Sequence, residues 1–408
     1  MRAWRETFAG LVMMGLCTGA LAQSKSSRWS GWRGGRRDGK SRDTGLLKRW
    51  PNGGPERLWH VRGLGAGFSS PAIAYDTVYI TGGVDGKLVI FAYDLSGRPR
   101  WKKEHGETWT RNYPGARATP TLSKGKLYLL SGPGKLVCYD AKSGRRVWST
   151  EMSSFGGSPG GWGYSESVLV ASKYVFVVPG GENCMVALDK QTGKVLWQSS
   201  GNGGKPHYGS SIVAVLNKVP MIVGSSRNGL FAVRPQDGRV LWTNDFSAGN
   251  TANCPTPAYS DGHVFWANGY GKGGVCLRLR ATNGKVTARE AWRTRDMVCH
   301  HGGYVIHEGY IYGNNSGGWA CLDLKTGERM WSDRGVGKGS VCYADGMLYL
   351  FAEDRGRVGL AEASPGGLRM SGQFSVEGRD KSWAHPVVVG GRLYLRYADN
   401  LYCYDVRR

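Results

Sequence analysis

One short phrase is written several times along the chain: "LVCYDAKSGRRVWS" at 136–149, "VALDKQTGKVLWQS" at 186–199 and "ACLDLKTGERMWSD" at 320–333. Each copy reads as an alternating strand, an Asp, a Ser/Thr-Gly-basic turn and a second strand that ends on Trp. Asp140, Gly144 and Trp148 keep the offsets of Asp189, Gly193 and Trp197, and again of Asp323, Gly327 and Trp331. Asp94, Gly97 and Trp101 match with one residue fewer. Glycine supplies the positive φ of a tight hairpin, and the Asp and Ser/Thr side chains bond the turn's own amides. The unit is a β-hairpin with a large aromatic at a fixed place.

Trp59, Trp101, Trp148, Trp197, Trp242, Trp292 and Trp331 recur every 39 to 50 residues, and Phe374 continues the series. Each interval holds two earlier strand-like runs, such as "ATPTLS" and "KLYLLS" ahead of "KLVCYD". Four short strands in a period of this length make a propeller blade, whereas a helical solenoid would need a 3.6-residue pattern. A single blade cannot cover its own faces, so the Trp is expected between blades. There, ~200 Å² of buried surface contributes roughly 5 kcal/mol. Units begin near Ser70, Thr119, Tyr164, Gly209, Pro255, Gly302, Gly339 and His385, which makes eight. The last holds three strands and lacks its Trp strand, which stands at the other end as "GGPERLWHV" around Trp59. The expected fold is all-β: an eight-bladed propeller of four-stranded antiparallel blades over 55–408, closed by pairing the N- and C-terminal strands.

The chain opens with Arg2 and Arg5, an apolar "FAGLVMMGLCTGALA" and a small-x-small Ala20-Leu21-Ala22, the pattern of a signal peptide cleaved after Ala22. Export to the periplasm or beyond is the expected destination, and no later run approaches the ~18 apolar residues of a membrane helix. Eight cysteines remain after the leader. An oxidising compartment permits disulfides, but Cys138, Cys321 and Cys403 each precede an Asp by two residues, which favours one shared packing slot in a strand. Residues 23–54 form a basic arm: 23–50 carry nine Lys/Arg against Asp38 and Asp43. Its tryptophans argue that it docks on the propeller.

The "AxDxxTGxxxW" repeat resembles that of pyrroloquinoline-quinone (PQQ)-like propellers, the group of quinoprotein alcohol dehydrogenases and of the propeller lipoprotein of the bacterial outer-membrane barrel-assembly machinery. The opening Trp29, Trp32, Arg33, Gly34, Arg37, Asp38, Gly39 and Ser41 resembles the "WxxWRGxxRDGxS" segment of exported planctomycete-type members. The likeness covers essentially the mature chain and implies the fold far more than any activity. In the dehydrogenases it implies PQQ with calcium, carboxylate ligands, a catalytic Asp and commonly an adjacent Cys-Cys disulfide. No two cysteines are adjacent here, and many Asp residues are committed to turns.

In a propeller, the loops leading into the innermost strands crowd one end of the channel. Here those loops carry the ligand-binding candidates Arg117, Tyr164, His207, Tyr208, His300, His301, Trp383 and His385. Cys254 and Cys299 precede the first strands of adjacent blades; they could pair, or with His300 and His301 hold a soft metal such as zinc or copper. Plugging of the channel by His and Cys is the plainer alternative. The formal charge of +23, from 54 Lys/Arg against 31 Asp/Glu, attracts anionic surfaces or acidic proteins, and export makes nucleic acid the least expected natural partner. The expected function is a monomeric, non-catalytic exported propeller that binds or scaffolds protein or polyanionic ligands in the cell envelope, with no cofactor. The alternative is a PQQ-dependent alcohol oxidoreductase with a reduced active site.

Overall fold

A computed structural model describes residues 28–250 and 253–408. The expected leader and its cleavage point after Ala22 lie outside the described residues. Eight four-stranded antiparallel sheets follow one another around a ring: 72–107, 121–151, 169–198, 212–244, 258–294, 304–333, 339–375, and a last one of 387–405 with Arg57–Val61. They are blades 1 to 8 in that order. Within each, the strands run in sequence order from the channel outward, except that blade 8 takes its outermost strand from the N-terminal side. Trp59 pairs with Cys403 and His60 with Tyr402, so the ring closes as the sequence predicts. The described residues contain one short 3-10 turn, Met152–Phe155, and no helix long and apolar enough to cross a membrane.

The repeated phrase folds for two separable reasons. Within a blade, Asp189 Oδ1 accepts from the amides of Gln191 and Thr192 and from the Thr192 hydroxyl, at 2.9, 2.9 and 3.0 Å. Asp323 repeats this network with Lys325 and Thr326. Between blades, the Trp of one blade reaches the turn of the next. Trp148 donates its indole N–H to Lys190 O at 3.1 Å, Trp59 to Leu95 O at 2.9 Å, Trp197 to Pro235 O at 3.0 Å and Trp292 to Leu324 O at 3.1 Å. The ring lies against the turn glycine, and a Cβ on Gly193 would stand 2.7 Å from Trp148. Opposite each Trp across the ladder sits a small residue: Cys138, Cys276, Cys321 and Cys403 in four blades, Ala92, Ala187 and Ala232 in three. Cysteine in these slots is small apolar filling.

Residues 28–50 thread the channel and its lower end. Trp29 pairs with Ile73 of blade 1, Ser30 accepts from Leu122 N–H of blade 2, and Trp32 donates to Thr256 Oγ1 ahead of blade 5 at 2.8 Å. Further on, Lys40 bridges to Tyr343 of blade 7, Leu47 N–H donates to Val406 O and Trp50 N–H to Ser371 O. Trp29, Leu46 and Trp50 are at most 4% exposed. The arm thus contributes core to the ring it crosses.

Candidate functional site

Inside the channel, the blades are stitched by hydroxyls. Amides of His385, Ser70, Thr119, Ser167 and Ser210 donate in turn to the hydroxyls of Ser70, Thr119, Ser167, Ser210 and Thr256, each one blade further round. Beneath this belt sit two buried arginines from the arm. Arg37 gives its guanidinium to the carbonyls of Ser167, Val168 and Ser211, joining blades 3 and 4. Burial lowers its pKa to about 10, with Glu166 the opposing charge. Arg33 donates to the carbonyls of Tyr304 and Asp38. Glu166 accepts from Val178 N–H at 2.8 Å and the Ser211 hydroxyl at 3.3 Å, yet burial still pushes its pKa up to about 7.

The opposite end of the channel opens as a bowl of about 150 Å³, with Trp32 of the arm among the residues lining it. That volume suits a single ring. Six of the sequence candidates line it: Arg117, Tyr208, Cys254, His300, His301 and Trp383. Phe68, Tyr113, Trp162 and Tyr270 complete its aromatic wall. Tyr113 and Tyr270 stand 53% and 67% exposed. Among the described residues, no carboxylate lines the bowl.

The remaining candidates lie elsewhere. Tyr164 is buried, with its hydroxyl on Pro179 O, because it packs under the loops of blades 2 and 3. His207 turns inward to the Asn253 side chain, 3.0 Å away. His385 is buried between Trp32, at 4.5 Å, and the carbonyl of His301, at 3.0 Å. Cys299 is buried with its sulfur 3.5 Å from Gly303 O, so it neither pairs with Cys254 nor joins the four-ligand set; all eight described cysteines are free thiols. The expected metal group is thereby reduced to Cys254, His300 and His301, whose donor atoms lie within 4.8 Å of one another.

Two residues that sequence reasoning missed complete the site. Lys338, just before the inner strand of blade 7, stands 2.9 Å from Glu353 Oε2 and 3.1 Å from His300 Nδ1. Its loop, "GKGS", carries no aromatic, His or Cys to draw attention. Burial would raise Glu353, but His301 and Lys338 hold it down at about 2. Burial, with His301 and Lys338 nearby, lowers His300 to about 3, so its ring is neutral at pH 7. Arg117 is held by the carbonyls of Trp162, Gly115 and Asn112 and lies over the Trp109 ring at 5.6 Å, and burial lowers it to about 10.

A closed ring of eight sheets, crossed by its own arm and opening through an aromatic bowl, defines a β-propeller with a candidate binding mouth. The family model of outer membrane protein assembly factor BamB matches residues 86–333, well over half of the chain, and the chain belongs to that family. Among solved structures it is similar to BamB from Moraxella catarrhalis, with 16% identity, a TM-score of 0.63, and 86% of this chain and 99% of that chain covered. It is also similar to the quinohemoprotein alcohol dehydrogenase ADHIIG from Pseudomonas putida HK5, with 13% identity, a TM-score of 0.61, and 93% and 80% covered. The computationally designed Ika8 protein shares the fold at 10% identity, a TM-score of 0.59, and 86% and 100% coverage. At these identities the likeness is one of fold. No curated protein matches the sequence.

Proposed function

We propose that this protein is an exported, non-catalytic binding propeller of the cell envelope that takes a protein or polyanionic ligand at its aromatic bowl. The observation that carries this reading is the composition of the mouth: two exposed tyrosines, a deeper wall of aromatic rings, and no carboxylate among the described lining residues. Rings with polar tips are the anchors of protein and polymer recognition. The +23 charge of the chain draws an acidic ligand toward the mouth. The leader pattern supports an envelope location, and family membership supports partner binding over chemistry.

The alternative, a PQQ-dependent alcohol oxidoreductase, has the fold of quinohemoprotein dehydrogenases in its favour. The residues present do not fit quinone with calcium. Calcium takes about 6–8 oxygen ligands, carboxylates foremost. Glu353, the carboxylate behind His301, is held by Lys338 and Lys381.

The test uses the protein with an oligogalacturonate as polyanion probe and an acidic, tyrosine-containing peptide as protein probe. Saturable quenching of tryptophan fluorescence by either is expected. It should weaken about tenfold or more in a Tyr113→Ala/Tyr270→Ala variant, whose substitutions touch no core. Absence of saturable binding by both probes, or alcohol-dependent dye reduction after addition of quinone and calcium, overturns the reading.

A further inference from the structure

We propose that Cys254, His300 and His301 form a binding site for a soft d10 metal ion, zinc(II) or copper(I), with one coordination position open to the bowl. Thiolate plus two imidazoles is a donor set selective for such ions over calcium or magnesium. The three groups come from the loops that lead into blades 5 and 6, and all three line the bowl. Their donor atoms lie within 4.8 Å of one another. Ligands held at about 2.0–2.3 Å from a tetrahedral ion stand roughly 3.3–3.8 Å apart, so side-chain rotations that contract the group by about 1 Å complete the site. With three protein ligands the fourth position faces the cavity, where a water or a donor atom of the bowl's ligand would sit.

The surroundings point to metal binding beyond the triad itself. Among the described residues His301 Nδ1 is buried without a hydrogen-bond partner, 3.9 Å from Glu353 Oε2. At that distance the carboxylate charge favours the proton on Nδ1, and a small closing movement would make the carboxylate–histidine contact that leaves the Nε2 lone pair for a metal. The ring is further fixed by stacking on Trp383, at 3.9 Å and 24°, and by the His385 contact to the His301 carbonyl. His300 lies 3.7 Å from His301, ring centre to ring centre. Among the described residues Cys254 Sγ makes no hydrogen bond, whereas Cys299 is engaged with Gly303 and lies outside the set.

Lys338 acts as the competitor. While its ammonium donates to His300 Nδ1, the ring proton sits on Nε2 and His300 has no free lone pair. For a metal to bind, Lys338 must release Nδ1 and rest on Glu353, which it already contacts at 2.9 Å. The thiol proton of Cys254 leaves to solvent as the ion arrives. Occupancy therefore depends on which way Lys338 turns.

The experiment strips the purified protein with a chelator and titrates it with zinc(II), with copper(I) under reducing conditions, and with cobalt(II) as a spectroscopic probe. One equivalent of zinc or copper is expected, with a thiolate-to-cobalt charge-transfer absorption that disappears in Cys254→Ser. His300→Ala and His301→Ala should each weaken uptake at least about tenfold, Glu353→Gln should weaken it, and Lys338→Met should tighten it about tenfold. Cys299→Ser should leave the stoichiometry unchanged. Bound zinc should also shield Cys254 of the unaltered protein from alkylation, read by mass spectrometry, which needs no variant to fold. Failure to take up a stoichiometric ion, uptake that survives Cys254→Ser, or alkylation of Cys254 unaffected by zinc overturns the site.

Discussion

The rim and the channel of this ring are built by opposite strategies. At the rim, one device is copied: an Asp-bonded turn whose glycine receives the Trp of the preceding blade. In the channel, the repeat gives way to a one-off segment, residues 28–50, which inserts two arginines and two tryptophans where the eight inner strands converge. The rim needs only nearest neighbours, as in other repeat proteins. The channel narrows to a point that no repeat can fill symmetrically, so its polar edges are satisfied by side chains brought from elsewhere. Stability at the rim should therefore be divisible among blades, whereas stability in the channel should be concentrated in a few arm residues.

Arg37→Ala tests that concentration most severely. It removes the partner of three buried carbonyls and the counter-charge of Glu166 at once. Breaking such a buried set costs about 4–5 kcal/mol, read as a loss in chemical denaturation. Trp148→Ala, which empties one rim contact between blades 2 and 3, should cost about 3 kcal/mol. If the rim variant proved the more damaging, the contrast between the two regions would be reversed.

Those two regions also differ in how far they could be read from sequence. Blade number, closure through Trp59 and the interblade place of the Trp were legible because each rests on spacing and alternation, which a repeat states several times over. The small slot of Cys138, Cys321 and Cys403 was legible for the same reason, and Cys276 joined it once its partner was known to be Trp292. In the channel, the loops holding Arg117, Tyr208, Cys254, His300, His301 and Trp383 could be placed at one end by phase alone. Which side chains turn inward could not. Tyr164 and His207 occupy the same phase as Tyr208 but pack away from the bowl, a choice made by contacts with residues distant in sequence. The arm's tryptophans announced docking, yet nothing local says that Arg33 and Arg37 enter the channel. The Ser/Thr at the start of five inner strands was a visible signal for the hydroxyl belt, recognisable only once the strands were set side by side.

The channel's charge can be tested by pH. Glu166 has a folded-state pKa of about 7, above the ordinary value of 4.5, because burial penalises the carboxylate. Protons are then favoured by the folded state, so the stability this group supports is present below about pH 4.5 and is lost as pH rises through about 7. Glu166→Gln keeps an acceptor for Val178 N–H without the charge. It should match the parent near pH 4.5 and exceed it by up to about 3 kcal/mol above pH 7. His105, pushed down to about 4, and His207 and His385, to about 3, mainly by burial, work in the other direction. Their contribution is present above about 6.5 and lost as pH falls, equally in parent and variant, so the difference between the two isolates Glu166. A constant gap across pH would show that Glu166 does not titrate in this range.

The finest test lies within the rim, at blade 5, which omits the device. The turn of blade 5 is Asn283–Gly284, between two ten-residue strands, and a Cβ on Gly284 would meet nothing within 4 Å. Correspondingly, the indole N–H of Trp242 in blade 4 has no hydrogen-bond partner among the described residues. Gly193 and Gly284 have nearly the same backbone, with φ of 74° and 73°, so alanine at either pays the left-handed penalty of about 1 kcal/mol. Only at Gly193 does the new methyl also collide with a Trp ring, at 2.7 Å, where it must displace a packed aromatic. Gly193→Ala should therefore cost about 2 kcal/mol and Gly284→Ala about 1, compared by chemical denaturation. Equal losses would mean that the repeated glycine serves its own turn alone, and that the ring-to-turn contact adds nothing to the coupling of one blade to the next.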